Sequence, residues 1–113
     1  MLQLLYPFKL LKNKNPQEKL EKEIRKVLTQ VVTNYLKTKY PIKKFELRDM
    51  LEPYYIWDGG AILKQPDKWL NVYIDMEKNF INIRIWDDAE EDYVEEYTFY
   101  DIDYSPVLKL ISQ

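Results

Sequence analysis

The 113-residue sequence contains no cysteine and no histidine. Without thiols there is no disulfide, no thiolate nucleophile and no Cys/His zinc site. Without imidazole there is no Ser-His-Asp chemistry. Serine occurs only at Ser105 and Ser112, so catalysis would fall to carboxylates, Lys, Arg or Tyr. The lack of cysteine fits a reducing compartment, and the expected location is the cytoplasm.

Glycine is nearly as scarce, with only Gly59 and Gly60. No G-x-G-x-x-G and no P-loop can be written, which removes the common phosphate cradles. The longest run free of Lys, Arg, Asp and Glu spans residues 27–36. That is too short to cross a bilayer, so no membrane partner is expected. The opening MLQLLYPFKLLK is apolar but carries Pro7 and Lys9. It lacks a basic n-region and a small-residue cleavage site, and reads as mature sequence rather than a signal peptide.

Hydrophobic residues make up 46% and charged residues 32%, a composition that folds. With no linker and no internal repeat, residues 1–113 are expected to form a single α+β domain. The net charge of −2 conceals an asymmetry. Residues 1–50 carry an excess of Lys and Arg, from Lys12, Lys14, Lys19, Lys22, Arg25 and Lys26 through Lys37, Lys39, Lys43, Lys44 and Arg48. Residues 85–104 hold Asp87, Asp88, Glu90, Glu91, Asp92, Glu95, Glu96, Asp101 and Asp103 and no cation at all.

Periodicity places the elements. Asn15, Pro16 and Glu18 make an N-cap, a first-turn proline and a capping-box acid, and predict a helix over about 16–39. Its apolar stripe is Leu20, Ile24, Val27, Leu28, Val31, Tyr35 and Leu36, widened by Val32. Acids lead the helix and Lys37 and Lys39 close it, as the macrodipole prefers. Beyond Pro41 the period becomes two. A weak strand is expected over 43–48 and another over 54–57, the latter stopped by a turn at Asp58-Gly59-Gly60. A short apolar piece at 61–63 and a turn at 65–68 follow.

The clearest pair comes next. Leu70, Val72, Ile74 and Met76 alternate with Trp69, Asn71, Tyr73 and Asp75. After a turn at 77–79, Ile81, Ile83 and Ile85 alternate with Phe80, Asn82, Arg84 and Trp86. The aliphatic rows predict the core face of an antiparallel hairpin. An acidic loop at 87–92, a strand at 93–102 and a short helix at 107–111 complete the chain. Residues 2–11 are expected as a strand. The fold class is therefore α+β, with one long amphipathic helix packed on a mostly antiparallel sheet of four to five strands and a short C-terminal helix.

Three constellations are candidates for function. The first is the acidic, tyrosine-rich strip of Asp87, Asp88, Glu90, Glu91, Asp92, Tyr93, Glu95, Glu96, Tyr97 and Tyr100, which suits a partner with a basic surface. Asp88, Glu90 and Asp92 share the rhythm of a calcium loop. Tyr93 and Phe99 occupy its glycine and glutamate positions, so no metal site is assigned. The second is an aromatic platform of Trp69, Tyr73, Arg84 and Trp86 on the far face of the hairpin, of the kind that stacks bases or anchors interfaces. The third is the basic amino half, which would suit nucleic acid. A metal-dependent nuclease reading fails because Asp75-Met76-Glu77-Lys78 has the wrong acid-to-lysine spacing after Pro66-Asp67.

In composition alone the chain resembles small inhibitor proteins of viruses and mobile elements, some of which mimic nucleic acid. No motif carries that likeness, and no residue role follows from it. The expectation is a small non-enzymatic interaction protein, with no cofactor and no catalytic residue. It would bind a basic protein surface through its acidic carboxyl half. A nucleic-acid-binding module using the basic half and the hairpin aromatics is the alternative, and a homodimer is left open.

Overall fold

The computed structural model describes residues 16–113. The expected strand at 2–11, the cap at Asn15 and the cations Lys12 and Lys14 lie outside the described residues. The chain runs through helix α1 (Pro16–Lys37), strands β1 (Ile42–Glu52), β2 (Ile56–Leu63), β3 (Lys68–Asp75), β4 (Phe80–Asp87) and β5 (Asp92–Phe99), and helix α2 (Ser105–Ile111). The strands form one antiparallel meander in the order β1-β2-β3-β4-β5. Short turns join successive strands, so each hairpin brings sequence neighbours together.

Alternation sorts the sheet into two faces. One face and the helices share a single apolar core. Ile24, Leu28, Val32 and Leu36 of α1 pack with Phe45, Trp57, Ala61, Leu70, Val72, Ile74, Ile81, Ile83 and Ile85, and with Ile102, Tyr104 and Val107 near the carboxyl end. Burying each such aliphatic side chain contributes about 1.5–3 kcal/mol relative to exposure. The backbone of α1 approaches β1 and α2 rather than the central strands. The helix stripe is narrower than its sequence pattern. The four fully buried positions fall at i, i+4 spacing, while Leu20, Val27, Val31 and Tyr35 are half-buried along its flanks.

The hairpin of β3 and β4 has the expected register, with Val72 opposite Ile83 and Ile74 opposite Ile81. Asn79 takes the left-handed conformation in its turn, and the Lys78 amide donates to Asp75 Oδ1 at 2.9 Å. The carboxyl-terminal strand ends at Phe99 instead of residue 102. Ile102 and Tyr104 leave the sheet and enter the core, where the Tyr104 hydroxyl donates to the Phe80 carbonyl at 2.8 Å.

The turn expected at Asp58-Gly59-Gly60 is corrected. These residues lie inside β2, which joins the two expected fragments into one strand. Neither glycine has a positive φ; both are needed for close approach. A Cβ on Gly59 would stand 2.9 Å from the Phe45 ring and 2.6 Å from the Glu46 carbonyl oxygen. A Cβ on Gly60 would stand 3.2 Å from Arg48 Nη1. Adjacent strand residues point to opposite faces. Gly59 thus clears room for Phe45 in the core, and Gly60 clears room for Arg48 on the opposite face.

Candidate interaction surface

No described helix lies over the second face of the sheet. Its side chains fall into rows that cross the strands. Ile62, Trp69, Trp86 and Tyr93 form the first row, and Gly60, Asn71, Arg84 and Glu96 the second. Asp58, Tyr73, Asn82 and Thr98 form the third, followed by Ile56, Asp75 and Phe80. This face is apolar at one end, polar in the middle and aromatic again at the other end.

The first row is a stack of rings. Trp69 and Trp86 lie 5.5 Å apart and nearly parallel, and Tyr93 meets Trp86 edge-on at 5.1 Å. Trp69 is 38% exposed and Ile62 56%. At the far end Tyr73 stacks on Phe80 at 5.9 Å, and the well-exposed Tyr100 tilts against Phe80 at 5.9 Å. Such ring pairs add stabilisation of about 0.5–1.5 kcal/mol beyond burial.

A polar chain joins the strands between the two aromatic groups. Arg48 of β1 reaches over Gly60, donating to the Gly59 carbonyl at 2.7 Å and to Asn71 Oδ1. Asn71 of β3 donates to the Tyr93 hydroxyl of β5 at 3.3 Å. The guanidinium of Arg84 sits 3.8 Å from the Tyr93 ring centroid. Asn82 donates to Glu96 Oε2 at 3.0 Å and to Thr98 at 2.9 Å. The middle rows line a groove of about 330 Å³, with Leu51, Asp58, Asn71, Tyr73, Asn82, Arg84 and Glu96 among its walls. All four residues of the expected aromatic platform, Trp69, Tyr73, Arg84 and Trp86, stand on this one face.

The acidic strip is not a single surface. Ile85 pairs with Glu95, yet Trp86 pairs with Tyr93, because a bulge at this point inserts one extra residue into β5. Tyr93 and Glu96 therefore face the aromatic side. Glu95, Tyr97 and Phe99 follow Ile85, Ile83 and Ile81 onto the helix side. There Tyr97 stacks on Phe99 at 6.1 Å, Lys39 lies 4.4 Å over the Phe99 ring and 3.5 Å from Asp101, and the Tyr35 hydroxyl donates to Asp101. That hydroxyl, with Lys39 beside it, holds the Asp101 carboxyl below its usual range. Burial, and then the hydrogen bond to Asp101 and its charge, push the Tyr35 phenol up.

Residues Asp87 to Asp92 turn the chain between β4 and β5. Asp88 Oδ1 accepts from the Trp86 indole at 3.0 Å, which ties the turn to the ring stack. Asp87 lies 3.8 Å from Lys68 and accepts from the Ala89 amide at 3.0 Å. Glu90 and Glu91 are exposed. Among the described residues, no three carboxylates converge as a metal cage.

Several cations of the basic half have structural partners. Arg25 donates to the Leu47 and Arg48 carbonyls at 3.4 and 3.3 Å and covers Trp57. Arg48 serves the polar chain, Lys39 meets Asp101, and Lys44 meets Glu46 at 2.8 Å. Lys19, Lys22, Lys26, Lys37 and Lys43 are exposed. Sequence reading placed Asn71 on the second face but missed the participation of Arg48 and Asp58 there. The adjacent glycines were the one signal for it, and they resemble a turn. Among the described residues no helix is long and apolar enough to cross a membrane. No family model, curated protein or solved structure matches the chain.

Proposed function

We propose that the chain is a non-enzymatic interaction protein of the cytoplasm, which meets a basic surface of a protein partner with the second face of its sheet. One observation carries this reading. The Trp69–Trp86–Tyr93 stack lies on that face with Glu96 beside it and Asp88 accepting from the Trp86 indole at its edge. Protein interfaces place aromatic residues at the centre and polar groups at the rim. The cations on the same face favour a protein over a nucleic acid. On that face Lys44 is paired with Glu46, Arg48 is held by the Gly59 carbonyl and Asn71, and Arg84 lies over the Tyr93 ring, so the described residues present no row of free cations to phosphate.

The experiment is a comparison of ligands by intrinsic fluorescence, because Trp69 and Trp86 are accessible while Trp57 is buried. Proteins captured from the native host are identified, purified and titrated against the chain beside single-stranded DNA and RNA. The reading expects a partner with a basic surface whose affinity falls with salt and with Trp86→Ala. Quenching by oligonucleotides at physiological salt, with no such protein partner, would replace it by the nucleic-acid reading.

A further inference from the structure

The groove between the two aromatic groups gives the partner a definite chemistry. This step rests on the interaction reading above and narrows it. We infer that the groove receives one arginine or lysine side chain from an extended segment of the partner. An apolar side chain two residues away on either side rests on Trp69–Trp86 and on Tyr73–Phe80.

Charge complementarity chooses the central residue. Asp58 and Glu96 stand on the groove walls against the single cation Arg84. Asp58 Oδ1 accepts from the Asp49 amide at 2.9 Å, and Glu96 Oε2 accepts from Asn82. The other oxygen of each carboxylate, and Asn82 Oδ1, have no partner among the described residues. Arg84 is drawn onto the Tyr93 ring. Arg48, beside the groove, is held in turn by the Gly59 carbonyl and Asn71, so among the described residues no cation is directed at the open oxygens, and a cationic side chain of a partner suits them.

Spacing chooses the segment. Trp69, Asn71 and Tyr73 succeed one another at every second residue of β3. Alternate side chains of a strand are about 6.8 Å apart. An extended peptide lying along β3 repeats at the same distance, so residues i, i+2 and i+4 fall over the aromatic row, the polar row and the Tyr73–Phe80 pair. The main chain of such a peptide also exposes N–H and C=O groups to Asn82 and Arg84. A helix keeps those groups in its own hydrogen bonds. The groove volume of about 330 Å³ lies at the low end for a small-molecule pocket and suits one side chain.

The test is selection of a random peptide library displayed on phage against the full chain, followed by fluorescence titration of the selected peptides. The expected peptides carry Arg or Lys with an apolar residue two positions away on each side. Replacing that cation by Ser should weaken binding at least tenfold. Asp58→Asn with Glu96→Gln, which keeps the acceptors for Asp49 and Asn82, should weaken it equally. The two changes together should cost little more than either one. Each single substitution serves as a control if the pair lowers the melting temperature. Basic peptides without fixed spacing, or indifference to Asp58 and Glu96, overturn this inference and leave the interaction reading standing. Selection of acidic or uncharged peptides, or of none, overturns both.

Discussion

The guanidinium of Arg25 lies 5.0 Å from the centroid of the Trp57 ring, and the same side chain donates to two carbonyls of β1. Those carbonyls, of Leu47 and Arg48, sit where the β1–β2 register shifts between Leu47 and Met50. The bulge releases main-chain acceptors from the ladder, and a planar cation on α1 takes them up. Trp57 is fully buried, with its indole donating to the Tyr54 carbonyl at 2.9 Å. Arg25 thus clasps the long helix to the first hairpin.

Removing that clasp should destabilise the fold without abolishing it. Arg25→Ala is expected to cost about 1–2 kcal/mol, from one cation–π contact and partly exposed hydrogen bonds. Arg25→Lys should recover less than half, because an ammonium cannot present the guanidinium fork. Urea unfolding followed by circular dichroism measures both variants. Equal stability of Arg25→Ala and the parent would remove the clasp from the account.

The two glycines should respond differently to the same methyl group. Gly59→Ala brings Cβ against backbone and a core ring, and should cost about 1–3 kcal/mol. Gly60→Ala meets the flexible end of Arg48 and should cost well under that, while lifting Arg48 from Asn71. Chemical denaturation of the pair reads the difference. Comparable losses at both positions would contradict the two-face assignment.

Core charge substitutions should be graded by burial. Ile83→Asp puts a carboxylate into a fully buried site and should prevent folding, since an unpaired buried charge costs several kcal/mol. Val27→Asp, on the half-buried flank of α1, should fold with a reduced melting temperature. Circular dichroism melts distinguish the two. If Ile83→Asp melts like the parent, the core register of β4 is wrong.

Neighbouring glutamates on β5 should have unequal roles in binding. Glu96→Lys alters the groove face, and Glu95→Lys alters the helix side beside Tyr40 and Tyr97. Under the proposed function the first should abolish partner binding and the second should leave most of it. A binding isotherm for each variant, with a melt to confirm folding, decides the matter. Loss with Glu95→Lys alone would move the interface to the other side of the sheet.

Alkaline pH should unfold the protein through its tyrosines. Burial raises Tyr104 well above the ordinary phenol range, and burial with Asp101 raises Tyr35. A folded-state value above the unfolded one contributes stability that is complete below about pH 10 and is lost as pH rises through the folded values. Asp101 acts in the opposite direction. Its lowered carboxyl contributes stability above about pH 4 that is lost on further acidification. A spectrophotometric titration should show late tyrosines that ionise together with unfolding. In Tyr35→Phe the acid limb should shift, because Asp101 loses the hydroxyl.

The regular elements were legible because their signals are local. The alternation at residues 70–76 and 81–85 places its aliphatic positions in the core, as found for Leu70, Val72, Ile74, Ile81, Ile83 and Ile85. Proline at the start of α1 and at the start of α2 marks both helices. The aromatic platform followed from the same alternation, since the residues between the aliphatic ones must share the other face.

What the sequence by itself determined is this periodicity: one long helix, a mostly antiparallel set of four to five strands, and two chemically distinct sets of strand residues. Tertiary structure alone decided how those sets are joined. The Gly59-Gly60 pair reads locally as a turn, and only the approach of Phe45 on one face and Arg48 on the other makes it a strand. Glu95 and Glu96 are equivalent in the sequence, and a single inserted residue opposite Ile85 and Trp86 determines which side of the sheet each flank of β5 presents. Arg25 and Arg48 belong to a basic run until a bulge and an open backbone on another strand claim them. Periodicity depends on nearest neighbours along the chain, whereas close approach and bulge position depend on contacts between strands, which no local pattern records.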